Sequence, residues 1–311
     1  MVRLKEHLVR LKEHLVRYRK HNTAHVFAVL KRTKGTGKRT FSTGKKAQID
    51  ICSLSCYNQK NKNLEGDFMN QNSIKNTVVK ANELIQKSRF SLSLQQQKIV
   101  LYLISQITPQ DEDFKLYSFS ITDFCKDCNI DYDNGKNYVN LKAAIKEIAD
   151  RSVWIKLDSG EETLVRWIEK PYIDNNSGII KIRLDRDMKP FLLQLKENFT
   201  KYELFWTLHF RSKYSVRLYE LIKSVHFDEL SSYVCEYEID ELRRLLGAEI
   251  YQTYQTFKIR VLEPAIAEIN KYSDKNLSYS PVKLGRSVRH IQFVIETKDA
   301  ADRLRLQEDL L

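Results

Sequence analysis

"CEYEIDELRRLLG" (Cys235–Gly247) starts as one kind of structure and ends as another. Cys235, Tyr237 and Ile239 alternate with acidic residues, as a half-buried strand does; Leu242, Leu245 and Leu246 then recur at helical intervals. The stretch is a strand entering a helix. After it, "TFKIRVLEPAIAEIN" (Thr256–Asn270) reads as a second helix, and "LSYSPVKL" (Leu277–Leu284) and "RHIQFVIE" (Arg289–Glu296) as a hairpin around Gly285. Before it, "YSVRLYELIKSV" (Tyr214–Val225) reads as a helix. Helix, strand into helix, helix, hairpin is the order of a helix-turn-helix with an attached wing.

The same order occurs earlier in the chain. "SLSLQQQKIVLYLISQI" (Ser91–Ile107) has Ser91 or Ser93 as a cap and repeats Ile99, Leu103 and Ile107 at intervals of four. "YSFSITDFCKDCNI" (Tyr117–Ile130) is a strand running into a helix that Thr122 is placed to cap. "NLKAAIKEIAD" (Asn140–Asp150) puts Leu141, Ile145 and Ile148 on one face. Three β-rich runs follow: Ser152–Leu157, Thr163–Ile173 and Gly178–Leu184, with turns at 158–160 and 175–178. Ile121 to Leu141 spans 20 positions and Ile239 to Phe257 spans 18, so one small module has been duplicated. The expected fold is α+β: two tandem winged-helix domains related by internal duplication, at 69–195 and 196–311. A basic extension at 1–68, expected to be disordered, precedes them.

The net charge of +12 divides unevenly. Residues 1–68 hold 16 Lys and Arg against 5 Asp and Glu; residues 69–311 hold 36 against 35. A nucleic-acid-binding body must therefore work through local patches. The longest apolar run, Ile99–Ile104, is far too short to cross a membrane. The N-terminus lacks the apolar core of a secretory signal. Five cysteines make no disulfide framework and fit a reducing cytoplasm.

Three motifs taken together, "VVKANELIQKSRFSLSLQQQKIVLYLISQI" (Val78–Ile107), "SKYSVRLYELI" (Ser212–Ile222) and "FKIRVLEPAIAEIN" (Phe257–Asn270), resemble the replication initiator (Rep) proteins of iteron-containing plasmids. The resemblance runs from about Thr77 to Glu296. It implies tandem winged-helix domains whose monomers bind repeated double-stranded origin sites and whose dimers repress their own gene. It also implies recruitment of host initiator and replicative helicase in a prokaryotic cytoplasm. No cofactor, metal or membrane enters this expectation.

A DNA-reading helix needs an apolar stripe for its domain and a polar one for the groove. At about 100° per residue, Phe257, Val261, Leu262, Ala265 and Ile269 share one arc, and Gln252, Thr253, Thr256 and Arg260 the opposite one. Gln suits adenine, Arg guanine, and Thr a thymine methyl or a phosphate. Lys258 lies toward the apolar arc and must reach sideways to a phosphate. Pro264 is expected to kink this helix or to mark a boundary near Glu263. Arg211, Lys213 and Arg217, with Ser212 and Ser215 as caps, suit phosphate at a helix start. Lys283, Arg286 and Arg289 suit a wing on backbone or minor groove; a solvated basic turn is the alternative. In the first module Lys136, Asn137 and Lys142 are expected to touch mainly phosphate, since Ala143 and Ala144 leave few base-reading groups. Lys181 and Arg183 face either DNA or solvent.

Other signals carry less. Cys125 and Cys128 have CxxC spacing without a second pair, so they read as helix cysteines rather than a zinc site. "KGTGKRT" (Lys34–Thr40) imitates a phosphate loop, but Arg32 stands where its first glycine belongs and Arg39 where its hydroxyl belongs. A rolling-circle nickase would need paired histidines; His209, His226 and His290 are isolated. Asp185 and Asp187 are expected to end a strand and cap a helix at 188–195. No enzymatic activity is expected. A winged-helix repressor without a replication role is the alternative that the residues separate least.

One repeat stands outside this scheme. Val2–Leu8 recurs unchanged as Val9–Leu15, and a degraded copy fills 16–22. Leu4, Leu8, Leu11, Leu15 and Tyr18 follow a heptad seam. A coiled coil does not require its Arg, Lys, Glu and His to repeat as well. Identity at every position points to repeated DNA. Seven codons make 21 base pairs, about two turns of duplex. The expectation is a translated array of the protein's own binding sites. "LEGDF" (Leu64–Phe68) can be encoded by a purine-rich run resembling a ribosome-binding site, with Met69 as the functional start.

Overall fold

The computed structural model describes residues 77–127, 135–157, 159–225 and 231–310. The repeat at 2–22, the proposed start at Met69, and Cys128 lie outside them. In the first module β1 (Thr77–Ala81) leads into α1 (Asn82–Gln86), β2 (Ser88–Arg89) and α2 (Leu94–Ser105). Ser93 caps α2: its hydroxyl accepts from the Gln96 N–H, and the Gln96 side chain accepts from the Ser93 N–H. Such a capping box contributes about 1 kcal/mol, which Ser91, two residues earlier, is too far away to supply. β3 (Tyr117–Ser120) runs into α3 (Ile121–Asp127). Its cap is Ser120, whose hydroxyl accepts from the Asp123 N–H at 3.0 Å, rather than Thr122. α4 (Gly135–Asp150) buries Leu141, Ile145 and Ile148, as their spacing predicts.

β4 (Ser152–Lys156), β5 (Glu162–Arg166), β6 (Tyr172–Asp174) and β7 (Ile179–Ile182) follow. The run Thr163–Ile173, read as one strand, is two. β5 stays with β4 and β2, while β6 pairs with β7, which pairs with β3. The break falls where Trp167 and Ile168, adjacent in sequence, are both buried at 1% exposure. A flat strand cannot bury two successive side chains on one face. Asp185 then caps a 3-10 turn (Arg186–Met188), accepting from the Asp187 N–H, ahead of α5 (Lys189–Leu192).

Next come β8 (Phe199–Glu203), α6 (Leu204–Leu208), α7 (Lys213–Ser224), β9 (Ser232–Glu238) and α8 (Ile239–Leu246). α8 ends at Gly247, whose φ of +63° is a left-handed cap that favours glycine. A long helix runs next through α9 (Tyr254–Phe257), a π-helical turn (Lys258–Leu262) and α10 (Glu263–Tyr272). The boundary expected near Glu263 is there: the π-helical turn gives way to α10 at Glu263, with Pro264 in its first turn. The Glu263 N–H reaches back to the Lys258 carbonyl, and this widened turn precedes the proline ring. β10 (Lys275–Leu284), β11 (Ser287–Thr297) and α11 (Ala300–Leu310) complete the fold, with β11 between β10 and β9 in one sheet.

The repeated strand-then-short-helix units meet at a seam. β1 and β8 each precede a short helix, and they pair antiparallel from Thr77↔Glu203 to Ala81↔Phe199. α7 packs against α1, α2 and β8 on one side and α8 and α10 on the other. Leu218, Tyr219, Leu221 and Ile222 are fully buried there.

Candidate nucleic-acid interface

The long helix of the second module has two chemically distinct faces. Phe257, Val261, Leu262, Ala265 and Ile269 have no exposed surface. Gln252, Thr253, Gln255, Thr256, Ile259 and Arg260 are exposed. Thr253 caps the helix, accepting from the Thr256 N–H at 3.2 Å, so this polar face starts at a fixed point. Arg260 forms no ion pair among the described residues, and its guanidinium keeps all its donors. Lys258 is half-buried and lies 3.4 Å from Glu263, a sideways pose worth little as an exposed ion pair. Beside the helix start, Tyr214 meets Tyr251 edge-on at 6.3 Å. Burial pushes the Tyr214 hydroxyl up to about 12.

Gln255 and Ile259 are absent from the expected set. Each lies two residues from Phe257, about 200° around the helix, so the wheel places both opposite the core. Only the apolar chemistry of Ile259, which is 50% exposed, hid it. An exposed aliphatic group on a groove-facing stripe fits a thymine methyl.

Arg217 is corrected by the structure. It is 3% exposed and faces the core, not solvent. Its Nε donates to the Leu245 carbonyl at 3.2 Å, Nη2 to the Ile85 carbonyl at 3.1 Å and Nη1 to Glu220 at 3.3 Å. Burying so large a cation requires this satisfaction of its donors. The backbone N–H groups at the α7 start are not open to a phosphate either. The backbone N–H groups of Arg211 and Ser212 donate to the Glu268 carboxylate at 3.1 and 3.2 Å. That anion occupies the place expected for a phosphate. Ser212 caps α7, accepting from the Tyr214 N–H. The Arg211 side chain remains exposed, and Lys213 lies over the Tyr214 ring at 5.0 Å.

Lys283, Arg286 and Arg289 are exposed on the hairpin, whose turn uses Gly285 at φ +65°. Leu284 stands among them at 75% exposure. A register shift between Val282 and Lys283 re-aims the tip.

The first module is poorer. Lys136 and Asn137 begin α4, with side chains outside the described set. Lys142 donates to Asn175 at 3.3 Å, and the Tyr138 hydroxyl donates to the same oxygen at 2.7 Å, pinning the β6–β7 turn against α4. Lys146 pairs with Asp150 and Glu147 with Arg151. Ala143 is exposed and Ala144 buried, and neither side chain carries a polar group. Lys181 is exposed, and Arg183 lies 3.6 Å from Glu169. Cys125 is buried, and burial pushes its thiol up. Among the described residues no three His, Cys, Asp or Glu side chains group as metal ligands, and no helix is long and apolar enough to cross a membrane.

The family profile described as "Initiator Replication protein, WH1" matches residues 77–223, past the expected domain boundary at 195, and "Initiator Rep protein, WH2" matches 238–295. A curated "Replication initiation protein" of Escherichia coli is 30% identical over 227 residues, covering 70% of this chain and 69% of that protein. The crystal structure of Pi initiator protein in complex with iteron DNA is similar in fold, with a TM-score of 0.60 over 73% of this chain and 99% of that one at 20% identity. With two winged-helix modules in the family's order, the chain belongs to the initiator replication protein family.

Proposed function

We propose that this chain is a plasmid replication initiator that binds tandem direct repeats at its origin, helps to open the adjacent duplex and brings in host initiator and helicase. It does so without enzymatic activity of its own, and it represses its own gene. The observation that carries this reading is the exposed polar stripe of Gln252, Gln255, Thr256 and Arg260 at the start of the long helix, set opposite a fully buried stripe. The Pi initiator, which shares the fold, was solved on iteron DNA. In this assignment Gln252, Gln255 and Arg260 read base edges, and Ile259 and Thr256 meet thymine methyls. Lys283, Arg286, Arg289 and Arg211 grip backbone. Lys142, Lys136 and Asn137 hold phosphates from the first module.

The test uses the DNA that encodes residues 2–22 as its probe. The protein is expected to prefer this repeat to a scrambled duplex by at least about 1000-fold at physiological salt, the lower bound for specific sites. Equal affinity for both would overturn the reading. On supercoiled plasmid with magnesium or manganese, no covalent protein–DNA product is expected; such a product would make the protein a nickase.

A further inference from the structure

The duplication has preserved a pair of buried cations. Ser93 and Ser212 cap the long helices α2 and α7, and five residues after each cap stand Lys98 and Arg217. Both are buried, at 8% and 3% exposure. Lys98 donates to the carbonyl of Leu208 at the end of α6, at 2.6 Å. Arg217 donates to the carbonyl of Ile85 in α1. Each cation thus belongs to one copy and binds the short helix of the other. Carbonyls in a last helical turn carry partial negative charge, which suits a cation.

The two arms are unequal. Lys98 is a point charge on a flexible stem. Arg217 is a rigid planar fork, and a third module element meets it: its Nε reaches the Leu245 carbonyl in the last turn of α8. α8 leads through Gly247 into the turn before the exposed helix Tyr254–Tyr272. On the other side the guanidinium lies 4.5 Å over the Phe90 ring, which stands edge-on to Trp167 at 5.0 Å. Glu220 holds the fork in place and is itself held by Lys80 of β1 and by the Tyr202 hydroxyl of β8, both at 2.6 Å.

We propose that Arg217 is a positioning residue that fixes the angle between the two DNA-facing helices, and so sets the spacing of the two base-pair tracts that one protein molecule accepts. This rests on the DNA reading above. One inserted base pair rotates one tract against the other by about 34° and moves it about 3.4 Å. A seam held by directed bonds from one planar group resists such a change; a seam held by apolar packing slides.

The test compares wild type, Arg217→Met, Arg217→Lys and Lys98→Met on the DNA encoding residues 2–22, with and without one base pair inserted at the centre of each repeat. Circular dichroism establishes that each variant is folded. Wild type is expected to lose at least about 10-fold on the inserted DNA, and Arg217→Met about 3-fold or less, with Arg217→Lys and Lys98→Met between them. If Arg217→Met does not fold, the other two variants decide by the same comparison. A variant that weakens binding equally at both spacings has only a structural role, and that result overturns the assignment. A wild type that does not prefer the repeat over scrambled DNA overturns the DNA reading instead.

Discussion

The two modules agree where they touch the core and differ where they face solvent. α4 of the first buries Leu141, Ile145 and Ile148; the long helix of the second buries Phe257, Val261 and Ala265. On the outer faces, Lys142 and Lys146 are tied to Asn175 and Asp150, and Ala143 offers no polar group. The second module keeps Gln252, Gln255, Thr256 and Arg260 exposed, with Arg260 outside any ion pair among the described residues. Packing constrains a core stripe in both copies of a duplication, whereas an outward face is free to specialise. The second module reads sequence in this account, and the first holds the backbone.

The largest expected effect lies at the seam that both modules share. Glu220→Ala leaves Lys80 and Arg217 buried without their carboxylate. Losing one partner of such a network costs about 3–5 kcal/mol, read as a shift in urea or thermal denaturation. A change under about 1 kcal/mol would mean that the modules do not depend on this seam. pH probes the same group. Burial alone would raise the Glu220 carboxyl, but Lys80 and Arg217 outweigh it and hold it below its ordinary 4.5. Its contribution is fully present above that value and fades as pH falls through the lower folded one, so acid unfolding should shift to higher pH in Glu220→Gln.

Next comes the contrast between the outer faces. Arg260→Ala is expected to cost about 1–3 kcal/mol on the specific repeat and much less on scrambled DNA. Lys142→Ala is expected to weaken both alike and to lower the slope of log affinity against log salt by about 1. Smaller again is Ile259→Ala. If Ile259 meets a thymine methyl, replacing that thymine by uracil should cost wild type affinity and cost Ile259→Ala almost nothing further; additive losses would place the side chain elsewhere.

The smallest effect is at the base of the second hairpin, far along the strands from its basic tip. Burial first, and Lys223 next, press Lys275 down from 10.5 to about 8. The unfolded chain then binds the extra proton between those values, so stability should rise with pH across that window. Lys275→Met should flatten the rise and leave DNA affinity unchanged; reduced affinity would extend the DNA surface to this end of the sheet.

Periodicity made the cores and the duplication legible, because a buried stripe leaves its spacing in the sequence. Both cysteine-bearing strand-to-helix entries and the hairpin at Gly285 follow from it. Arg217 defeats the same reasoning. A basic residue beside a helix start looks like a phosphate ligand, and only the carbonyls of Ile85 and Leu245, distant in sequence, show that it points inward. Glu268 likewise reaches the α7 start from 56 residues away. Trp167 and Ile168 split a strand through a tertiary demand that alternation does not record. Ile259 is legible in position, but its apolar chemistry gives no sign of a groove-facing role.

The central claim is that base reading belongs to the second module. Its most direct test is competition binding of Arg260→Ala and Lys142→Ala against every single-base substitution of the repeat encoded at residues 2–22. The account predicts that Arg260→Ala becomes indifferent at one position or two neighbouring ones, while Lys142→Ala keeps the wild-type preference at every position with uniformly lower affinity. Preference lost in Lys142→Ala and kept in Arg260→Ala would contradict it.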